Sequence, residues 1–258
     1  MNLPPTKYFG SIKFERTLKN YHVSISHHNI GEKIPKHNHA NPYYSVNLGA
    51  AYIENNNFSK SIIDPGTIIL RPKEYEHENT FINNVGFCFN IEVITISNNN
   101  VLQLFNNKNI NFAYFEFLQI LIKTFNNYSD NELDCLITET LADRYNTQLL
   151  TKIPNWYNQV ISKVKEEYCD SLTLSEIASS VALHPNYLAR KFKKISGITL
   201  GDYIRMVRLK NASLMLHSNK RLTDIALEAG FYDQSHFSNS FRSAFKISPK
   251  SLKDLFLG

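Results

Sequence analysis

Two stretches in the C-terminal part of the chain resemble each other, and this repeat limits the possible folds more than any other feature. One copy begins with "LSEIASSVALHPNYLARKFKK" at Leu174, and the other begins with "LTDIALEAGFYDQSHFSNSFR" at Leu222. An offset of 48 residues, which becomes 49 after a one-residue insertion, aligns the Ile-Ala pairs and the spaced Leu and Phe positions. A duplicated supersecondary unit is the simplest explanation of such a repeat.

Each copy predicts two helices joined by a tight turn. In the first copy, Thr173 and Glu176 have the spacing of a capping box, and Pro185 suits the first turn of the following helix. In the second copy, Gly230 can adopt the positive φ of a sharp turn, and Asp233 can cap the next helix. We therefore expect an all-α C-terminal domain, residues 154–258, with two helix-turn-helix units.

The second helix of each copy has an apolar face and a polar face without carboxylates. Neither 177–201 nor 234–253 contains Asp or Glu, and each segment carries four Lys or Arg residues. In a DNA major groove, Asn and Gln pair with adenine and Arg pairs with guanine, while Lys and Arg neutralise phosphates. Ordinary solvated helix faces are the alternative. The residues predicted to contact DNA are Asn186, Arg190, Lys193, Lys194, Gln234, Ser235, Ser238, Asn239 and Arg242.

The basic charge of the chain is concentrated in the same part. The formal net charge is +5, and the residues from 155 onward hold 15 Lys and Arg against 9 Asp and Glu, a balance of +6. Such an asymmetry favours a polyanionic partner for the C-terminal part.

Residues 157–256 resemble the DNA-binding domain of the AraC/XylS family of bacterial transcription regulators. The Ile-Ala pair, "GF", the spaced phenylalanines and the final "SP" carry the resemblance, although the family often has Gly where Lys246 stands. It implies that Asn186 and Arg190 contact bases in one unit, and that Gln234, Ser235, Ser238 and Asn239 do so in the other. It also implies double-stranded DNA, a small-molecule effector, RNA polymerase and a second copy of the chain as partners.

The N-terminal part predicts a β domain followed by helices. Segments such as "YYSVNLGAAYI" and "GFCFNIEVITI" are rich in β-branched and aromatic residues and are separated by turn signals. They predict a small barrel or sandwich over residues 1–97. Residues 98–153 contain the apolar stretch "NFAYFEFLQILIKTF", which predicts a buried or dimer-facing helix in a helical linker or dimerisation segment.

The β part also resembles the cupin barrels that such regulators carry as effector-binding domains. "GEKIPKHNHANPYYSVNLG" matches one cupin motif and "GTIILRPKEYEH" matches the other, although Tyr44 stands where metal-binding cupins have Glu. His37 and His39 alternate on a strand and therefore point to one face. With His77 they could hold Zn, Fe or Ni; the alternative is an effector pocket without metal, which would include Tyr44.

The remaining sequence features narrow the choice of function. Residues 1–10 lack the pattern of a secretory signal, no apolar run reaches the ~18 residues of a membrane span, and the three cysteines form no metal-binding motif. These features predict a cytoplasmic protein without membrane partners. Because no P-loop, G-x-S-x-G or H-E-x-x-H motif is present, we expect a regulator rather than an enzyme. A metal-dependent cupin enzyme with a helical appendage is the alternative.

Overall fold

The chain forms two compact units, which span Met1–Gln148 and Leu149–Gly258. The structure is a computed structural model that describes residues 1–82, 85–95, 110–126, 128–143 and 153–257. Residues 97 and 98, where the predicted β domain gives way to the helical segment, lie outside this description. The division into three segments at 97/98 and 153/154 therefore stays a prediction.

The N-terminal unit contains two five-stranded sheets with the orders β1-β4-β9-β6-β7 and β2-β3-β10-β5-β8. Side chains from both sheets share one apolar cluster that includes Ile34, Phe81 and Cys88, so the sheets pack face to face. Among the described residues, no strand pairing joins the two sheets, and the fold is an open cupin-like jelly roll rather than a closed barrel. The strands are β1 Asn2–Leu3, β2 Ser11–Thr17, β3 Tyr21–His28, β4 Lys33–His39, β5 Tyr43–Asn47, β6 Tyr52–Asn56, β7 Lys60–Ile63, β8 Ile68–Arg71, β9 His77–Phe81 and β10 Gly86–Val93.

Two helices follow the strands, α1 Ile110–Phe125 and α2 Asp130–Asp143. The apolar side chains of α1 are buried within the unit itself: Phe117, Ile120 and Leu121 have no exposed surface. The backbone N–H and side-chain amide of Asn20 donate to the Asp134 carboxylate at 2.8 and 2.5 Å, which ties α2 to the strands. The helical segment is therefore part of the core of this unit.

The C-terminal unit is entirely helical in the described residues, which confirms the predicted fold class. Its two helix-turn-helix units are α4–α5 and α7–α8, as the repeat predicts. The predicted caps are also present, because the Thr173–Glu176 capping box opens α4 and the Asp233 carboxylate accepts from His236 N–H at the start of α8. The helices are α3 Asn155–Glu167, α4 Leu174–Ser180, α5 Pro185–Ser196, α6 Leu200–Met215, α7 Leu222–Glu228, α8 Gln234–Phe245 and α9 Pro249–Leu257. No helix in the described parts of the chain is long and apolar enough to cross a membrane.

Gly230 lies where the turn of the second helix-turn-helix meets the loop after α3. Its φ is +80°, and a Cβ atom there would lie 2.7 Å from the Tyr168 carbonyl oxygen and 2.8 Å from Cys169 Cα. The same Tyr168 carbonyl accepts a hydrogen bond of 2.8 Å from Arg208 Nε on α6. A residue without a side chain therefore allows the turn of the second helix-turn-helix unit to pack against the loop after α3.

We expect Gly230→Ala to destabilise the C-terminal unit more than Gly197→Ala. Gly197 has the same φ of +80°, but a Cβ atom there would have no neighbour within 4 Å. Gly197→Ala therefore measures the backbone cost alone, about 1–2 kcal/mol. Gly230→Ala adds the steric conflict, which typically costs a further ~1–3 kcal/mol. Urea unfolding of both variants measures the difference. Equal losses would show that the contact with the loop at Tyr168 and Cys169 does not restrict this position.

Candidate nucleic-acid interface and histidine cavity

Helix α8 buries one face and exposes the other. Phe237, Phe241 and Phe245 are at most 3% exposed, and successive pairs of their rings lie 5.6 and 4.6 Å apart between centroids. The aromatic stripe therefore fixes the rotation of the helix about its axis. The predicted DNA-contacting residues of this helix lie away from the stripe and are exposed, except for the half-buried Ser238: they are Gln234, Ser235, Ser238, Asn239 and Arg242.

Helix α5 repeats this arrangement in the first helix-turn-helix unit. Leu188 and Phe192 are fully buried, and the Phe192 ring stacks on Tyr157 of α3 with a centroid distance of 5.2 Å. The four predicted DNA-contacting residues of this helix are all exposed: Asn186, Arg190, Lys193 and Lys194.

Some exposed or half-buried side chains near these two helices were not among the residues predicted from the sequence. Lys191 Nζ lies 5.7 Å from the ring centroid of Tyr187, which is 40% exposed on α5. Tyr232 is 87% exposed in the turn before α8. The hydroxyl of Thr223 on α7 also donates to the Gln234 amide oxygen at 2.8 Å, which orients that side chain. The aromatic residues were missed because the prediction included only polar residues on the outward helix faces.

A second cluster of polar side chains lies between the two sheets of the N-terminal unit. His37, His39 and His77 are each at most 5% exposed, and one ring nitrogen from each lies within 4.8 Å of the others. Strand alternation places His37 and His39 on the same face of β4, and His37 is the direct cross-strand partner of His77 on β9. The predicted convergence of these residues is present, and together they could hold a metal ion.

Two of these imidazoles have their tautomer fixed by backbone carbonyls. His37 Nδ1 lies 2.8 Å from the Pro35 oxygen and His77 Nδ1 lies 3.2 Å from the Tyr75 oxygen. Because a carbonyl only accepts, each Nδ1 carries the proton and each Nε2 presents a lone pair. Metal-binding histidines are commonly oriented in this way.

The histidines are held in the neutral form that binds metals. Burial lowers the pKa of His77 to about 2, with the nearby Arg71 and His37 as smaller causes. Burial also lowers the pKa of His39 to about 3, with His37 and Arg71 as smaller causes. The donor set therefore fits a transition-metal ion such as Zn, Fe or Ni in its chemistry.

The cavity wall also contains a buried ion pair that was not predicted from the sequence. Arg71 on β8 is 2% exposed and Glu54 on β6 is 4% exposed. Arg71 Nε donates to Glu54 at 3.2 Å, and a second guanidinium nitrogen forms a closer contact with the same carboxylate. That nitrogen also donates to the Tyr52 hydroxyl at 2.9 Å. The pair keeps the wall polar without adding net charge.

The tyrosine that faces the cavity from β5 is Tyr43 rather than Tyr44. The Tyr43 hydroxyl lies 3.3 Å from His77 Nε2. Tyr44 points to the opposite face, where its ring centroid lies 5.9 Å from that of Phe117 on α1, and it does not line the cavity. Placing Tyr44 in the effector pocket was therefore wrong by one residue, because successive strand residues face opposite sides.

Residues from the N-terminal segment cover the histidines. The Tyr8 ring lies 5.1 Å from His39 and the Phe9 ring lies 4.8 Å from His37, between centroids. Glu92 holds this segment in place by accepting from Thr6 N–H at 2.9 Å and from the Tyr8 hydroxyl at 3.1 Å. The remaining cavity has a volume of about 30 Å³, and a water needs ~10–15 Å³ on this scale. It accommodates an ion with a water or two, and a larger effector requires the segment to move.

Comparison with known proteins identifies the C-terminal unit. Residues 177–254, which run from within α4 into α9, match a family described as a helix-turn-helix domain. The transcriptional activator RhaS of Klebsiella pneumoniae is 34% identical over 97 residues, which make up 37% of this chain and 35% of that protein. RhaS of Escherichia coli K12 is 32% identical over 97 residues. The C-terminal unit is therefore similar to the helix-turn-helix part of these transcriptional activators.

Solved structures were also compared with the chain. ToxT from Vibrio cholerae is 15% identical, with a TM-score of 0.41, and the alignment covers 93% of this chain and 100% of that one. The C-terminal domain of the response regulator YesN from Fusobacterium nucleatum is 30% identical, with a TM-score of 0.37, over 39% of this chain and 99% of that one. The sequence match to RhaS spans about a third of the length of that activator.

The C-terminal unit departs from the AraC/XylS sequence pattern at the end of α8. Lys246, where the family often has Gly, ends α8 with a left-handed φ of 62°. Its backbone N–H donates to the Arg242 carbonyl, so the capping hydrogen bond forms without glycine. The geometry of α8 is therefore retained despite the substitution.

The buried ion pair gives a test of the cavity wall. We expect Arg71→Met to lower the free energy of unfolding of the N-terminal unit by about 3–5 kcal/mol, because it leaves the Glu54 carboxylate buried without its partner. The double variant with Glu54→Gln should lose less than Arg71→Met alone. Urea unfolding of the three proteins measures this coupling. As a control, Arg221→Met breaks an exposed pair with Asp224 and should change little. A neutral Arg71→Met would contradict the interpretation.

Proposed function

We propose that the protein is a sequence-specific DNA-binding transcription regulator of the AraC type. The observation that carries the proposal is the pair of exposed recognition helices, α5 and α8, which belong to one helical unit. Each helix lies in a segment of the sequence without Asp or Glu and with four Lys or Arg residues. Such faces suit two successive major-groove segments on one side of a duplex.

The residues divide into two roles in this proposal. Asn186 and Arg190 on α5 contact base edges, because amide and guanidinium groups form paired hydrogen bonds with adenine and guanine. Gln234 and Asn239, with the hydroxyls of Ser235 and Ser238, do so from α8. The basic residues beside them contact phosphates, which position the helices without specifying sequence: these are Lys193, Lys194 and Arg242.

The N-terminal unit supplies regulation in this proposal. A small molecule or an ion binds at the cavity lined by His37, His39 and His77, and it must bind one arrangement of the protein better than another to change DNA binding. Homodimerisation through the helical segment and contact with RNA polymerase complete the function of a cytoplasmic regulator, and catalysis has no role in it. Zn, Fe or Ni at the histidines is part of the proposal.

Selection from a random DNA library tests the proposed function. The purified full-length protein is incubated with the library at two salt concentrations, and the bound DNA is sequenced. We expect an enriched motif with two half-elements about one helical turn, ~34 Å, apart. Salt-sensitive binding without any enriched sequence would show that the helical unit is only a basic surface.

Substitution of one base-contacting residue should change specificity as well as affinity. We expect Arg190→Ala to weaken binding to the selected site by about 1–3 kcal/mol and to relax the preference at one base pair. Lys194→Ala, on the same helix, is the matched control and should weaken binding to all sequences by similar factors. Binding curves on the selected site and on single-base variants separate these effects. A uniform loss for Arg190→Ala would assign it to phosphate.

The three-histidine cluster also favours a second candidate, a metal-dependent cupin enzyme with a helical appendage. Three histidine ligands and an open coordination position are typical of catalytic metal sites. Metal analysis of protein purified without chelator, combined with His77→Ala, distinguishes the two. The regulator should keep its DNA motif when His77 is replaced and lose only its response to the bound ligand. An enzyme should show no selected DNA motif in either form.

A further inference from the structure

Three tyrosines line the histidine cavity, and Arg71 lies beside the hydroxyls of Tyr43 and Tyr52. The Tyr8 hydroxyl donates to Glu92 at 3.1 Å, and the Tyr52 hydroxyl accepts from Arg71 at 2.9 Å. The Tyr43 hydroxyl is the one that faces the histidines, at 3.3 Å from His77 Nε2. Its ring also packs on His39 with a centroid distance of 4.5 Å.

The distance between Tyr43 and His77 suits two ligands of one metal ion. Metal–nitrogen and metal–oxygen bonds of ~2.0–2.1 Å place neighbouring ligand atoms of a tetrahedral site ~3.3 Å apart. The observed 3.3 Å therefore fits the edge of a coordination tetrahedron, and it also lies within reach of a hydrogen bond from the Tyr43 hydroxyl to the unprotonated His77 Nε2.

We propose that Tyr43 is the fourth protein ligand of a metal site formed with His37, His39 and His77. The inference rests on the metal site of the proposed function and specifies its ligand set as three imidazole nitrogens and one phenolate oxygen. On binding, the O–H bond of Tyr43 breaks, an oxygen–metal bond forms, and the proton leaves to solvent. The ion keeps its oxidation state in this step.

The ligand set determines which class of ion the site takes. Three neutral imidazoles and one phenolate carry a single negative charge, and a phenolate is a hard oxygen donor that favours iron, above all Fe³⁺, and Zn²⁺ over soft ions. The cavity of about 30 Å³ leaves room for such an ion and a water. In this proposal the bound ligand is a metal ion, and a larger organic effector would require the N-terminal segment to move.

Iron loading gives a direct optical test. The full-length apoprotein is loaded with Fe²⁺ without oxygen and then oxidised by dioxygen in air. A phenolate bound to Fe³⁺ produces a charge-transfer absorption band in the visible region. We expect the band in the wild type and in Tyr8→Phe, whose hydroxyl faces Glu92, and we expect it to be absent from Tyr43→Phe with iron still bound. A band that persists in Tyr43→Phe, or wild-type protein that binds iron without a band or does not bind it, overturns the proposal.

A second measurement does not require the variant to fold. Calorimetric titration of the wild type with Zn²⁺ in buffers of different ionisation enthalpy counts the protons released, and we expect about one proton from the neutral Tyr43 hydroxyl. In Tyr43→Phe this release should disappear and the affinity should fall at least ~10-fold. Zinc binding without proton release by the wild type overturns the proposal. The DNA selection is run on the same samples. Failure to bind metal then contradicts only the proposed ligand set, whereas the lack of an enriched DNA motif contradicts the proposed function.

Discussion

Burial of Phe237, Phe241 and Phe245 on one side of α8 determines which residues the C-terminal domain can present to DNA. Rotating the helix by one residue would expose an aromatic ring to water, at a cost of about 1.5–3 kcal/mol. The same rotation would turn polar side chains into the core. The apolar stripe therefore sets the position of Gln234 and Asn239 without touching either of them.

The histidine cavity, like α8, depends on where its polar side chains lie relative to its apolar contacts. Several buried polar groups of its wall have defined partners, from the backbone carbonyls behind His37 and His77 to the Glu54 carboxylate behind Arg71. A charged imidazole would have to lose its hydration in this place, so the rings stay neutral. Neutral rings with fixed tautomers leave their second nitrogens available to a shared ligand. The histidines can therefore be buried and still bind that ligand.

The sequence predicted the helical domain better than the cavity, for a physical reason. Helix period, caps and an internal repeat are local features, and they placed α5 and α8 with their outward faces correctly oriented. The convergence of His37 and His39 followed from strand alternation. The orientation of Tyr43 did not, because β5 belongs to the other sheet and the turn at residues 40–42 resets the alternation. The partnership of Arg71 with Glu54 depends on long-range strand order, which no local pattern contains.

Access to the cavity links the N-terminal segment to ligand exchange. Glu92 accepts hydrogen bonds from Thr6, Tyr8 and Asn41, and the rings of Tyr8 and Phe9 lie on the histidines. A ligand must displace these contacts to enter the cavity. Once it lies beneath the segment, it adds its own contacts to the closed form, in which the segment covers the histidines. Bound ligand and closed segment therefore stabilise each other, as linkage requires. For the proposed regulation, the closed and open forms of this segment must also differ in the contacts that they offer to the rest of the chain.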